Sequence, residues 1–208
     1  VPIGSSMFFH ADYTTGSTKD KVGGLSGTKG GAGTVSYIND SSTGTKVASF
    51  SGEACLEYNF LTLADKIHSN FTMETYVKLN QAPAWGWGLI AGTYWYNEHS
   101  GFGMGYGQFN EIGTGAENFS FTTGDTANST TYNKTFTGAS AGQWVHLIYS
   151  NNGSKAVLYV NGTKVSSQTL PVTNIVFDSN RTFRVGGYNA AGQFCNNMYC
   201  AYVKLYSR

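Results

Sequence analysis

The residues best suited to chemistry are aromatic and amide side chains gathered around the middle of the chain. Trp85 and Trp87 follow Pro83, and Tyr94, Trp95, Tyr96 and Asn97 come soon after. Phe102, Tyr106, Phe109 and Asn110 lie among or just past alternating glycines, with Tyr188 and Asn189 near the end. A sugar ring packs its C–H face on an aromatic ring, while its hydroxyls need planar, uncharged donors and acceptors such as the Asn amide. These residue types together are what a carbohydrate-binding surface uses. Most of the aromatics must still be core, because a domain of this size needs large inward residues. The two faces of Leu89 to Tyr96 are both partly apolar and leave the outward one undecided. Trp85-Gly86-Trp87 is the better candidate, since it follows a proline between strands, where binding residues concentrate.

Other constellations carry less chemistry. Gly138-Ala139-Ser140-Ala141-Gly142 matches the G-x-S-x-G pattern, but a nucleophile elbow needs a strand before the serine and a helix after it, and a strand begins at Trp144. The four histidines, His10, His68, His99 and His146, lack metal spacing, and His146 reads as a hydrogen-bonded, half-buried strand residue. Gly101, Gly103, Gly105 and Gly107 alternate with Phe102, Met104 and Tyr106. One face of that strand is therefore bare backbone, open to a close-packed side chain or to a flat ligand.

The elements that must position these residues are strands. Gln143 to Val165 contains the alternating runs Trp144 to Tyr149 and Ala156 to Val160, separated by Asn152-Gly153 and closed by Asn161-Gly162. Asn-Gly between alternating runs predicts type I′ hairpin turns, in which both residues take positive φ. Further strands are expected at Met7 to Tyr13, Val35 to Ile38, Lys46 to Phe50, Cys55 to Phe60, Phe71 to Leu79, Leu89 to Tyr96, Glu117 to Thr122, Tyr132 to Phe136, Phe183 to Tyr188 and Met198 to Tyr206. In the last, Tyr199, Ala201, Val203 and Leu205 alternate against Met198, Cys200, Tyr202, Lys204 and Tyr206. Thr14 to Thr34 is a long polar loop, and Leu61 to His68 is the one segment that could form a helical turn. About twelve strands without a repeat or linker predict an all-β, two-sheet antiparallel sandwich with Greek-key or jelly-roll connections, as a single domain over residues 1–208.

Composition narrows the function classes. Charged residues are only 12% and the net charge is +1, so no attraction to nucleic acid or to an anionic membrane is implied. No apolar run nears the roughly 20 residues a membrane span needs, so no membrane insertion is expected. The chain starts at Val1 and stops within its last predicted strand, which predicts a piece of a larger surface protein. Cys195 and Cys200 either bridge a turn or, like Cys55, are small buried side chains. Eight N-x-[ST] sequons are compatible with a secreted glycoprotein, although turn geometry already accounts for Asn152 and Asn161.

A family resemblance rests on motifs spread through the chain. They are Phe9-His10-Ala11-Asp12, Ala48-Ser49-Phe50-Ser51-Gly52, Asn70 to Lys78, Gln143-Trp144-Val145-His146-Leu147, Ala156 to Gly162, Val185-Gly186-Gly187 and the closing Tyr202 to Arg208. In this order the chain resembles the laminin G-like, concanavalin A-like lectin/glucanase jelly-roll family, with the W-x-H step and the LYVNG hairpin as the most specific part. The resemblance implies two antiparallel sheets, one of them curved, and a module of adhesins, receptors, carbohydrate-processing enzymes or viral surface proteins. Glucanases of this shape carry an E-x-D-x-x-E type run on one strand, because retaining hydrolysis needs two carboxyls about 5 Å apart. This chain has no such run, and it is expected not to be an enzyme. The resemblance also brings in calcium, for which Asp12 and Asp178 are candidate ligands because each flanks a strand end, although no D-x-D cluster accompanies them.

The expected function is therefore non-catalytic recognition, with a glycan or cell-surface glycoprotein as partner, outside the cell or on a cell or virion surface. The alternatives are a protein-binding adhesion module of the same fold and a spacer without a ligand. Oligomeric state is not legible in the sequence.

Overall fold

The computed structural model describes residues 6–67, 70–81, 87–93, 100–107, 119–125, 130–136, 141–169, 182–188 and 193–207. In chain order the strands are β1 (Ser6–Asp12), β2 (Thr28–Gly30), β3 (Thr34–Asp40), β4 (Thr45–Ser51), β5 (Cys55–Asn59), β6 (Asn70–Leu79), β7 (Trp87–Gly92), β8 (Phe102–Gly107) and β9 (Phe119–Asp125). They continue with β10 (Thr130–Phe136), β11 (Trp144–Asn152), β12 (Lys155–Val160), β13 (Thr163–Thr169), β14 (Thr182–Val185), β15 (Gly187–Tyr188), β16 (Gln193–Phe194) and β17 (Asn197–Ser207). The only helical elements among the described residues are 3-10 turns at Tyr13–Thr15 and Ala64–Lys66.

Two antiparallel sheets face each other. One has eight strands in the order β13-β12-β11-β6-β17-β4-β3, with β1 also on β17; the other has seven, β10-β9-β8-β7-β14-β5-β2. A short β15-β16 ribbon completes the set. The sandwich predicted from the alternating runs is the architecture observed.

The core between the sheets is largely aromatic. Phe9 meets Tyr58 edge to face with centroids 5.1 Å apart, Phe60 stacks on Phe183 at 4.9 Å, and Phe71 lies 4.4 Å from Phe102. Full burial of each such ring contributes about 2–3 kcal/mol. The Tyr58 hydroxyl donates to the Thr18 carbonyl at 2.8 Å, so this ring also ties down the long loop. That loop is not structureless. The carboxylate of buried Asp20 accepts from the backbone N–H of His10, Val22 and Gly23, and β2 pairs with β5.

Local sequence and tertiary context agree at one predicted turn and disagree at another and in β17. Asn161 and Gly162 take φ of +50° and +79° and close a two-residue turn, as Asn-Gly predicts. Asn152 does not take positive φ: Asn151 pairs with Ala156, and the Asn152 side chain accepts from the N–H of Ser154 and Lys155, so side-chain bonds replace a type I′ turn. All three cysteines are buried and unpaired, which excludes the Cys195–Cys200 bridge and leaves the buried reading.

The other disagreement is in β17. One edge pairs with β6 along the strand; the other pairs with β4 over Asn197 to Cys200 and with β1 over Tyr202 to Ser207. At the handover a bulge between Cys200 and Tyr202 inserts one residue. The inward set is therefore Met198, Cys200, Val203 and Leu205, and simple alternation fails after Cys200.

Candidate functional site on the outer face of the eight-stranded sheet

Strand alternation builds this face. In β6, Phe71, Met73, Val77 and Leu79 are in the core, so Thr72, Glu74, Tyr76 and Lys78 project to the other side. In β11, Val145, Leu147 and Tyr149 are inward, which sends Trp144, His146 and Ile148 out. Beyond its bulge, β17 sends Tyr202, Lys204 and Tyr206 the same way. Register then makes the neighbours: Tyr76 lies opposite both His146 and Tyr202, Glu74 opposite Ile148 and Lys204, and Lys78 opposite Trp144 and Tyr199.

Glu74 is the centre of the polar network. Its Oε1 lies 3.0 Å from His146 Nε2 and accepts from the Tyr202 hydroxyl at 3.1 Å, while its Oε2 accepts from the Tyr206 hydroxyl at 3.0 Å. The Lys204 ammonium sits 3.7 Å from Oε1 and 4.1 Å from the Tyr202 ring centroid. Burial alone pushes the Glu74 carboxyl up, but the bonds and charges from His146, Lys204, Tyr206 and Tyr202 outweigh it and hold it below the usual value. Burial and the Glu74 charge raise both phenols, Tyr202 and Tyr206. Glu74 is 12% exposed and His146 34%, so the carboxylate is shielded while the imidazole can be reached from solvent.

An aromatic ladder runs beside this network. Tyr76 stacks against Trp144 at 4.8 Å and against Tyr202 at 6.3 Å, both at 30°. The Trp144 Nε1–H donates to Asp40 Oδ2 at 3.1 Å and to Ser42 Oγ at 2.9 Å, and Lys78 lies 3.6 Å from Asp40 Oδ1. The β3–β4 turn therefore reaches onto this face at Trp144. The bonds from Ser42, the Thr43 N–H and Trp144, with the Lys78 charge, outweigh burial and lower Asp40 to about 2.

The residues expected to bind ligand fall elsewhere. Phe102 and Tyr106 are buried on the inward face of β8, and Phe102 packs on Phe71 while Tyr106 packs on Phe119 at 5.6 Å. Trp87 is 1% exposed; its indole lies over Gly105, where a Cβ would come within 2.1 Å of Nε1. These three are packing residues in this structure, which corrects the expectation that they contact a ligand. The glycine alternation serves at Gly105 to admit an opposing side chain. Tyr188 ends β15, while Trp85, Tyr94, Trp95, Tyr96, Asn97, Asn189 and Asp178 lie outside the described residues.

Asp12, a candidate calcium ligand, already has protein partners on both carboxylate oxygens. It caps the first 3-10 turn, accepting from the Thr14 N–H at 3.1 Å and the Thr14 hydroxyl at 2.6 Å, and it pairs with the Lys21 ammonium. Among the described residues no group of three or more His, Cys, Asp or Glu side chains could hold a metal ion, and no helix is long and apolar enough to cross a membrane.

The expectation for His146 holds, since it is half-buried and bonded to Glu74. The Glu74, Tyr76, Trp144 and Tyr202 assembly was not picked out from the sequence. Alternation in β6 and the Trp144-x-His146 step mark three of these residues as outward. The bulge hides the fourth.

Residues 55–208 match a family model, Laminin_G_3, described as the concanavalin A-like lectin/glucanases superfamily. The chain belongs to this superfamily. No curated protein matches it. Among solved structures, this superfamily member resembles domain 4 of AbnA, an extracellular family 43 arabinanase from Geobacillus stearothermophilus solved in complex with arabinotriose. That match has a TM-score of 0.74 at 18% identity and covers 98% of this chain and 93% of that one. The binding domain of botulinum neurotoxin serotype D matches with a TM-score of 0.69 at 15% identity, over 98% of this chain and 48% of that one. The binding domain of botulinum neurotoxin DC, solved with SialylT, gives 0.67 at 12% identity, over 97% and 48%. The lectin/glucanase domain thus spans about half the length of the toxin binding domains it matches. At such identities the likeness establishes fold alone.

Proposed function

We propose that this domain is a non-catalytic carbohydrate-recognition module that works outside the cell, with a glycan or cell-surface glycoprotein as its partner. The observation that carries the reading is the extent of the match to the arabinanase domain, 98% of this chain against 93% of a unit solved holding arabinotriose. The toxin binding domain solved with SialylT supports the same reading from a second group of structures. An uncharged polar composition also suits binding of hydroxyl-rich ligands.

Two kinds of observation support a non-catalytic role. A glycosidase needs a proton donor whose pKa is raised, and Asp12, Asp40 and Glu74, three of the twelve carboxylates, are held below their usual values, so none of these three fits that part. The sequence also lacks the paired-carboxylate strand motif. Trp85, with Tyr94, Trp95, Tyr96, Asn97, Tyr188 and Asn189, supplies further proposed contacts.

A glycan array with the purified domain tests this reading, repeated with Trp85→Ala and with a calcium chelator. Selective binding without shortening of the bound glycan is the expected result. Loss of binding in Trp85→Ala places a contact at that residue, and loss on chelation places a metal in or beneath the site. A blank array from folded protein overturns the carbohydrate reading and favours a protein partner. Release of shortened sugars overturns the non-catalytic one.

A further inference from the structure

We propose that the outer face of the eight-stranded sheet, centred on Glu74, is itself a saccharide-contacting surface selective for neutral, hydroxyl-rich ligands. The inference rests on the carbohydrate reading above and adds a place and a charge class. The Tyr202 and Tyr206 hydroxyls each donate to Glu74, at 3.1 and 3.0 Å. A phenol has one hydrogen, so each oxygen keeps only acceptor capacity for a ligand. His146 meets the same carboxylate through Nε2 at 3.0 Å. In the neutral imidazole with its hydrogen on Nε2, Nδ1 is an acceptor too. Glu74 thus turns both phenols, and His146 in its neutral form, into acceptors, and a fitting ligand must bring donors to them. A sugar's hydroxyls do so, and the half-buried, mutually stacked rings of Tyr76 and Trp144 stand beside them as apolar neighbours for its C–H groups.

The charge class follows from the ion pairs. Lys204 lies 3.7 Å from Glu74 and Lys78 3.6 Å from Asp40. Among the described residues, the two ammoniums packed into this network, Lys78 and Lys204, are each matched by a carboxylate, and the exposed Lys155 and Lys164 lie away from it on β12 and β13, so the network itself holds no uncompensated cation for a sialylated or sulfated glycan and no open carboxylate for a cationic ligand. The mutual bonds also hold the side chains in place before binding, which reduces the ordering cost.

The test compares wild type with Tyr202→Phe/Tyr206→Phe on an array of neutral, sialylated and sulfated oligosaccharides, with folding checked by circular dichroism. The substitutions remove two acceptors and keep both rings. Preference for neutral glycans, weakened roughly tenfold or more in the double variant, is expected for two lost hydrogen bonds. Wild-type-like binding by the variant overturns the placement alone, and preference for sialylated glycans overturns the charge class. A blank array overturns the carbohydrate reading, and this inference falls with it. Titration of tyrosine-labelled wild-type protein with an array hit, followed by NMR, gives a second readout that needs no variant. Ring signals of Tyr76, Tyr202 and Tyr206 must shift; if they stay fixed while the glycan binds, the placement is wrong.

Discussion

The Trp144 indole donates to Asp40 Oδ2 at 3.1 Å although the two residues are 104 apart in sequence. Trp144 opens β11, and Asp40 ends β3 at the far edge of the same sheet. The contact exists because β17 changes partners. Beyond Cys200 the place beside it belongs to β1, so the β3–β4 turn is released from the sheet plane and settles on the outer face. One carboxylate then orders its own turn, through Ser42 and Thr43, and fixes one end of the aromatic ladder.

This bond makes part of the stability acid-sensitive. Asp40 is lowered from 3.8 to about 2, so its contribution is fully present above about pH 4 and is lost as pH falls toward 2. In Asp40→Asn that contribution is absent at every pH. Thermal melts at neutral pH should show the variant about 2–4 °C lower, as expected for a loss of about 1 kcal/mol in a domain this size. The gap should close between pH 4 and 2. A gap independent of pH would mean that the charge of Asp40 does not matter.

Glu74→Gln should change the two tyrosines it bonds. Tyr202 and Tyr206 are raised by burial and then by the Glu74 charge, and the variant removes that charge while keeping an acceptor. An ultraviolet pH titration should show part of the tyrosine absorbance moving to lower pH than in wild type. Because a raised phenol pKa stabilises the fold below the unfolded value and is lost as pH rises through the folded one, wild type should lose stability more steeply than the variant above about pH 10. Identical titration curves would disconnect Glu74 from both phenols.

Much of the fold was legible because alternation is a local signal. The faces of β6 and β11 follow from Phe71 to Leu79 and from Trp144 to Tyr149, and Asn161-Gly162 announces its turn. The faces of β17 were not legible, because its bulge answers to a change of partner far away in sequence. The same limit applied to ligand-binding candidates. Trp87 and Tyr106 have the right chemistry for sugar, and only tertiary packing over Gly105 and Phe119 shows that they are enclosed. The network around Glu74 was not legible either, since its three hydrogen-bonding partners arrive from β11 and β17.

The fit of Trp87 over Gly105 can be tested directly. An added Cβ would stand 2.1 Å from the indole, too close for any real contact, and the buried ring has little room to move. Gly105→Ala should destabilise the domain by about 1–3 kcal/mol and shift tryptophan emission. In the double variant with Trp87→Leu the penalty of the glycine substitution should shrink, which a double-mutant cycle measures. Additive effects would place the strain elsewhere.

The cysteines report on the integrity of the whole sandwich. Cys55 is buried and burial pushes its thiol up to about 11; Cys200, buried beside Thr75, is pushed to about 12, and burial raises Cys195 as well. Because the thiolate is the reactive form, native protein near pH 8 should resist an alkylating or disulfide-exchange reagent at all three positions. Denatured protein should label three times per chain, and a reductant should leave the melting temperature unchanged, since no bridge exists to break. The labelling rate in the native state should then follow opening of the sheets and slow whenever a ligand stabilises the fold. Fast labelling of any one cysteine without denaturant would show that the strand around it opens independently of the core.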